Sequence, residues 1–129
     1  MVGPTFAEPM KDFYSGYEGY PEVHFTLNVG GSPIERIATW DGFFASVMAN
    51  ALPLDGRWCG LALPYHTLQG WLACEGAWRI PDLHEALVAW KLIPREGLDD
   101  VALDLYSAIA ELLTKATTLE NASVWIEEF

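Results

Sequence analysis

Among the 129 residues, the cysteines and histidines, two and three in number, are few and widely spaced. Cys59, His66, Cys74 and His84 are the one set that can be drawn around an ion. Zinc sites are usually built from ligand pairs about two to four residues apart, because a short loop must aim both donors at one tetrahedral centre. The gaps here are irregular, so the four read as structural, with no metal and no cofactor. His84-Glu85 opens like the helix of a zinc protease, but the second histidine would fall at Val88. Gly30-Gly31-Ser32 lacks the lysine and the spacing of a phosphate loop, and no Gly-x-Ser-x-Gly elbow is present. The three histidines lie far apart and no carboxylate pair stands out as an acid–base couple. No catalytic residue is expected, and the chain reads as a non-enzyme.

The aromatic residues say more. Six tryptophans are present: Trp40, Trp58, Trp71, Trp78, Trp90 and Trp125. Large aromatics dominate core energetics, and they are also the usual anchors of protein interfaces. Trp90 and Trp125 fall in apolar runs and are expected in the core. Trp58, Tyr65, Trp71 and Trp78 lie in the least regular stretch, residues 53–80, where core and interface readings stand level.

The elements that must position these residues are unevenly legible. Residues 1–22, with Pro4, Pro9, Pro21, Gly16 and Gly19, read as an irregular lead-in with one helical turn around Met10–Phe13. Residues 23–129 read as a single domain. Val23 to Val29 alternates apolar and polar residues, the mark of a half-buried strand, and Gly30-Gly31-Ser32-Pro33 breaks it. Ile34 to Ile37 fits a second short strand or a helical turn from Pro33. Thr39 to Leu52 predicts a helix capped by Thr39 or Asp41, with Phe43, Phe44, Val47, Met48 and Ala51 inward. Residues 64–74 fit a helix capped by Thr67 or an alternating strand. Ala86 to Ile93 is a short apolar run ending at Pro94; a buried parallel strand and a helix capped by Asp82 both fit it. Asp99 or Asp100 caps the clearest helix, with a stripe of Val101, Leu105, Ile109, Leu112 and Ala116 and with Lys115 near its end. Ser123 to Phe129 reads as a last strand.

Composition limits the partners. Seven basic residues against 18 acidic ones give a formal net charge of −11, yet 51% of the residues are hydrophobic. Disorder goes with low hydrophobicity, so an acidic folded domain is expected. Nucleic-acid binders need basic surface to displace counterions, and anionic lipid repels acid; neither is expected as a partner. No apolar run approaches the ~18–20 residues of a membrane span, and the start MVGPTFAEPMKDF does not read as a signal peptide. With two cysteines the expected location is the cytoplasm. Eleven of the 18 acids lie from Glu75 onward, several at helix starts; the rest favour encounter with a basic partner by electrostatic steering.

The order of elements resembles the barstar family, the intracellular inhibitors of barnase-type ribonucleases. The similarity runs through Leu27–Val29, the Gly30-Gly31 turn, Ile34 and Ile37, Thr39, Phe43-Phe44 and Ala51-Leu52-Pro53. It continues in Leu68-Gln69-Gly70-Trp71, Leu87-Val88-Ala89-Trp90, the helix 100–116 and the strand 123–128. The resemblance implies an α/β fold with a small, mainly parallel three-stranded sheet and helices packed against it. Its strands would be 23–29, 86–92 and 123–128, with 64–74 a helix and 75–85 an insertion. It also implies an immunity protein that binds and sterically blocks a bacterial toxin, of nuclease type, in bacterial competition.

The family's inhibitory helix carries two aspartates that occupy the phosphate sites of the ribonuclease. Residues 57–66 here contain no acid, and the nearest are Asp55 and Glu75. The expected contact is therefore aromatic: Trp58, Tyr65, His66 and Trp71, flanked by Asp55 and Glu75. Alternatives are an acidic decoy, such as a phage-encoded or DNA-mimic inhibitor, and a small ligand-binding domain in which His66 or His84 meets an acid.

Overall fold

The computed structural model describes residues 10–53, 56–58, 60–62 and 77–128. The alternating segment forms strand β2 (Glu22–Val29), with Val23, Phe25 and Leu27 fully buried on one face. Gly30 and Gly31 both take positive φ, 59° and 86°. That is the geometry of a two-residue hairpin turn whose twist matches the strands, and glycine adopts it without steric cost. The chain therefore returns at once as β3 (Ser32–Trp40), antiparallel to β2, with Phe25 opposite Ile37 and Val23 opposite Thr39. This resolves Ile34–Ile37 as strand.

The helical turn expected at Met10–Phe13 is instead strand β1 (Met10–Phe13), parallel to β3, with Lys11 opposite Ile37. The chain leaves it through a turn in which the Asp12 carboxylate accepts the N–H groups of Tyr14 and Ser15 and the Ser15 hydroxyl. Strand β4 (Trp78–Arg79) and strand β5 (Ala122–Glu128) complete the sheet, in the order β1-β3-β2-β5-β4. Strand β5 is antiparallel to both β2 and β4.

The α/β class holds, but among the described residues the sheet has five strands and is mixed, in place of the expected three-stranded, mainly parallel sheet. Of the three expected strands, 23–29 and 123–128 lie within strands. Residues 86–92 do not: they belong to helix α2 (Leu83–Lys91) and its C-cap, Leu92. The physical reason is Asp82, whose carboxylate accepts the Glu85 N–H at 3.0 Å and starts a helix there. Ala86, Trp90 and Ile93 then recur at helical spacing and are all buried.

Helix α1 (Asp41–Asn50) buries Phe43, Phe44, Val47 and Met48. Neither expected cap serves it. Thr39 is in β3 with its hydroxyl on the Trp40 carbonyl, Asp41 is already helical, and the N-cap is Trp40, which makes no side-chain cap bond. Helix α3 (Asp100–Thr118) is capped by Asp99, which accepts the Ala102 N–H at 2.9 Å. Leu105, Ile109, Leu112 and Ala116 are buried as expected, while Val101 is exposed.

The described helices pack on the sheet face that carries Val23, Phe25, Leu27, Ile37, Val124 and Ile126. Phe44 of α1 meets Phe25 below and stacks on Trp90, whose ring also stacks on Tyr106. Trp90 and Tyr106 clamp α2 to α3 reciprocally. The indole N–H donates to the Tyr106 carbonyl at 3.0 Å, and the phenol donates to the Trp90 carbonyl at 3.1 Å.

Candidate interaction surface

Asp55, Tyr65, His66, Trp71 and Glu75 lie outside the described residues, as do Cys59 and Cys74. Trp58 and Trp78 are half-buried and packed against the core. Residues 60–62 touch helix α2. Gly60, at φ 62°, lies so close to the helix that a Cβ there would stand 3.0 Å from the Cα of Ala86. Leu61 and Ala62 are buried beside it. With Leu52, Ala89 and Ile93 they line a small apolar cavity of about 10 Å³.

Helix α2 has a second side. At about 100° per residue, positions two before and two after Trp90 lie roughly 160° from it, pointing away from the core. Those positions hold Val88 and Leu92, and Leu92 keeps helical backbone angles as the C-cap. Val88 is 59% exposed and Leu92 58%. Leu52, 63% exposed, reaches the flank of the helix through the cavity it shares with Ala89. Beyond Leu92 a shallow groove of about 740 Å³ runs past Pro94 and Leu103, with Lys91, Arg95 and Glu96 at its rim. Arg95 is held there with its guanidinium 5.8 Å from the centre of the Tyr106 ring. Burial raises the Tyr106 phenol pKa, partly offset by the Arg95 charge. Scattered exposed apolar residues are ordinary, but Val88 and Leu92 lie one turn apart on the same outward side of α2.

The sheet face turned away from the helices is polar. His24 Nε2 stands 2.5 Å from the Glu22 carboxylate, and Glu127 is opposite His24 on β5. Trp125 lies between Thr26 and Arg79, its indole N–H on the Ser123 hydroxyl at 2.9 Å. The spacing that reveals this pair is Glu-x-His in an alternating strand, which puts both side chains on one face. Neither residue belongs to a motif, whereas His66 and His84 are the histidines that motif spacing singles out. His84 is exposed on α2.

Two carboxyls stand apart from the helix caps. Burial raises the pKa of Asp41, and burial together with the Asp41 charge raises that of Glu128. Asp12 is shifted down, by the Ser15 hydroxyl first and the Tyr14 N–H second. Among the described residues no three acids, histidines or cysteines converge as a metal site. No described helix is long and apolar enough to cross a membrane. The chain matches no family model, no curated protein and no solved structure.

Proposed function

We propose that this protein is a non-catalytic inhibitor of the immunity type, acting in the cytoplasm by covering a surface of a basic bacterial toxin domain. The observation that carries the reading is the outward face of α2, where Val88 and Leu92 project one turn apart with no structural need to be apolar. Protein interfaces combine such an apolar centre with a polar rim. The rim here includes Asp82, Glu85, Lys91 and Glu96. A net charge of −11 would speed encounter with a basic partner and keep nucleic acid and anionic membranes away.

Co-expression with the nuclease-type toxin domain encoded beside the gene tests the reading. Growth rescue and a co-purifying complex are expected, both lost in a Val88→Asp, Leu92→Asp double variant that still folds. Failure to bind or to protect would overturn it. A second reading, a small ligand-binding domain, draws on the Glu22–His24 pair. It predicts that His24→Ala abolishes function, whereas the inhibitor reading predicts protection unchanged. The acidic-decoy alternative has less support, since Asp82 and Asp99 serve as helix caps.

A further inference from the structure

The loop between β1 and β2 holds three tyrosines, Tyr14, Tyr17 and Tyr20, in a frame fixed from several sides. Beyond the Asp12 turn, the Tyr17 N–H donates to the Tyr14 carbonyl at 2.9 Å and the Tyr20 N–H to the Tyr17 carbonyl at 3.0 Å. The Tyr14 phenol donates to the Tyr20 carbonyl at 2.7 Å and closes the loop on itself. The Tyr17 ring stacks on Trp40, with centroids 4.5 Å apart and planes 8° apart, and meets Phe43 edge-on. Trp40 in turn lies over Gly42: a Cβ there would stand 2.3 Å from its ring atoms, so a side chain at position 42 would push the indole out.

One ring of this frame faces water. Tyr20 is 62% exposed, and its contact with Trp40 is an edge-on one at 6.5 Å. The loop uses Tyr20 through its backbone N–H and carbonyl, which other residues would supply equally. A large ring set in water on a fixed backbone is the kind of anchor that protein interfaces use, because little conformational entropy is lost when a partner covers it. The charge around it has one sign. Residues 12–22 hold Asp12, Glu18 and Glu22 and no lysine or arginine. Both Glu18 oxygens lie 3.1 Å from the Gly16 nitrogen, which keeps that side chain on the loop. Lys11, the cation next in sequence, is tied to Glu111 at 3.0 Å.

We propose that the Tyr14–Tyr20 loop is a preformed docking surface for an arginine-bearing segment of a partner protein, with a guanidinium laid on the Tyr20 ring among the acids of the loop. Arginine fits better than lysine, since its planar, weakly hydrated head stacks on an aromatic ring while its fork of N–H groups stays free to pair with carboxylates. Nucleic acid and anionic lipid are repelled by the same acids. The surface is carried by residues other than those of α2, and the inference stands without the toxin reading.

The test is an NMR titration of the isotope-labelled full chain with a hexa-arginine peptide and, separately, with a hexa-lysine peptide. Both peptides carry the same charge, so recognition by the ring separates them. Hexa-arginine is expected to shift the amides of residues 16–20 and the Trp40 indole N–H, and to bind roughly two- to fivefold tighter than hexa-lysine. Tyr20→Ala should remove that preference and Tyr20→Phe should keep it, since the ring and not the hydroxyl receives the cation. Equal binding of the two peptides by wild type, or shifts that leave the loop unmoved, would overturn the proposal, and neither outcome depends on a variant folding. Because the probe is a peptide, these outcomes are read apart from rescue from a toxin.

Discussion

Helix α2 carries apolar side chains on two opposite sides, and only one side is used by the fold. Inward, Ala86 and Trp90 are buried among Phe44, Tyr106 and the sheet. Outward, Val88 and Leu92 are more than half exposed. Similar residues a few positions apart thus face opposite environments. Their contributions to stability should differ by several kcal/mol, and this difference separates what builds the domain from what the domain presents.

The largest effect should come from the inward side. Trp90→Ala removes the indole stacked between Phe44 and Tyr106, leaves a cavity and frees the Tyr106 carbonyl. A loss of about 3–5 kcal/mol is expected in urea unfolding. A loss under about 1 kcal/mol would mean that the core closes without this residue and that the two sides of α2 are alike.

Gly60 is next. Alanine there must hold a left-handed backbone, at roughly 1–2 kcal/mol, and its Cβ must also find room 3.0 Å from the Ala86 backbone. Gly60→Ala should therefore lower the denaturation midpoint clearly while leaving the unfolding slope unchanged. Asp82→Ala, which removes the cap at the start of α2, should cost about 1 kcal/mol. Amide exchange should then accelerate at Glu85 more than at Trp90, because the cap bond is local. Equal acceleration along the helix would show that Asp82 supports the whole element and not only its first turn.

These residues also show how far the sequence could be read. Strand β2 was legible because strict alternation and the Gly30-Gly31 break bound it; β3 was not, since Ile34–Ile37 fits a strand and a helical turn alike until the positive-φ glycine turn pairs it back on β2. Helix α3 was legible because its cap and its stripe agree. The run at 86–93 was ambiguous for a physical reason: eight residues, apolar but for Lys91, fit a buried strand and a buried helix equally, and only the cap at Asp82 breaks the tie. The family resemblance broke it the other way. Strand β1 is four residues long and exists through its pairing with β3, which no local pattern announces. The candidate surface was hidden by the same ambiguity. In a buried strand Val88 and Leu92 would be core; only the helix, through its 3.6-residue period, turns them outward.

The smallest effect on stability belongs to the outward side, and it is the sharpest test of the contrast. Val88→Asp and Leu92→Asp place charge where the present side chains already meet water. Each should change unfolding free energy by no more than about 0.5 kcal/mol, as surface substitutions usually do. Leu92→Asp should be the worse of the two, because a negative charge at the C-terminal end of α2 opposes the helix dipole, whereas Val88 is mid-helix. A loss above about 2 kcal/mol at Val88 would mean that the side chain is packed in solution, and the patch would then belong to the fold. A near-zero change leaves an apolar face that folding does not require, so the reason for its chemistry must lie outside the chain.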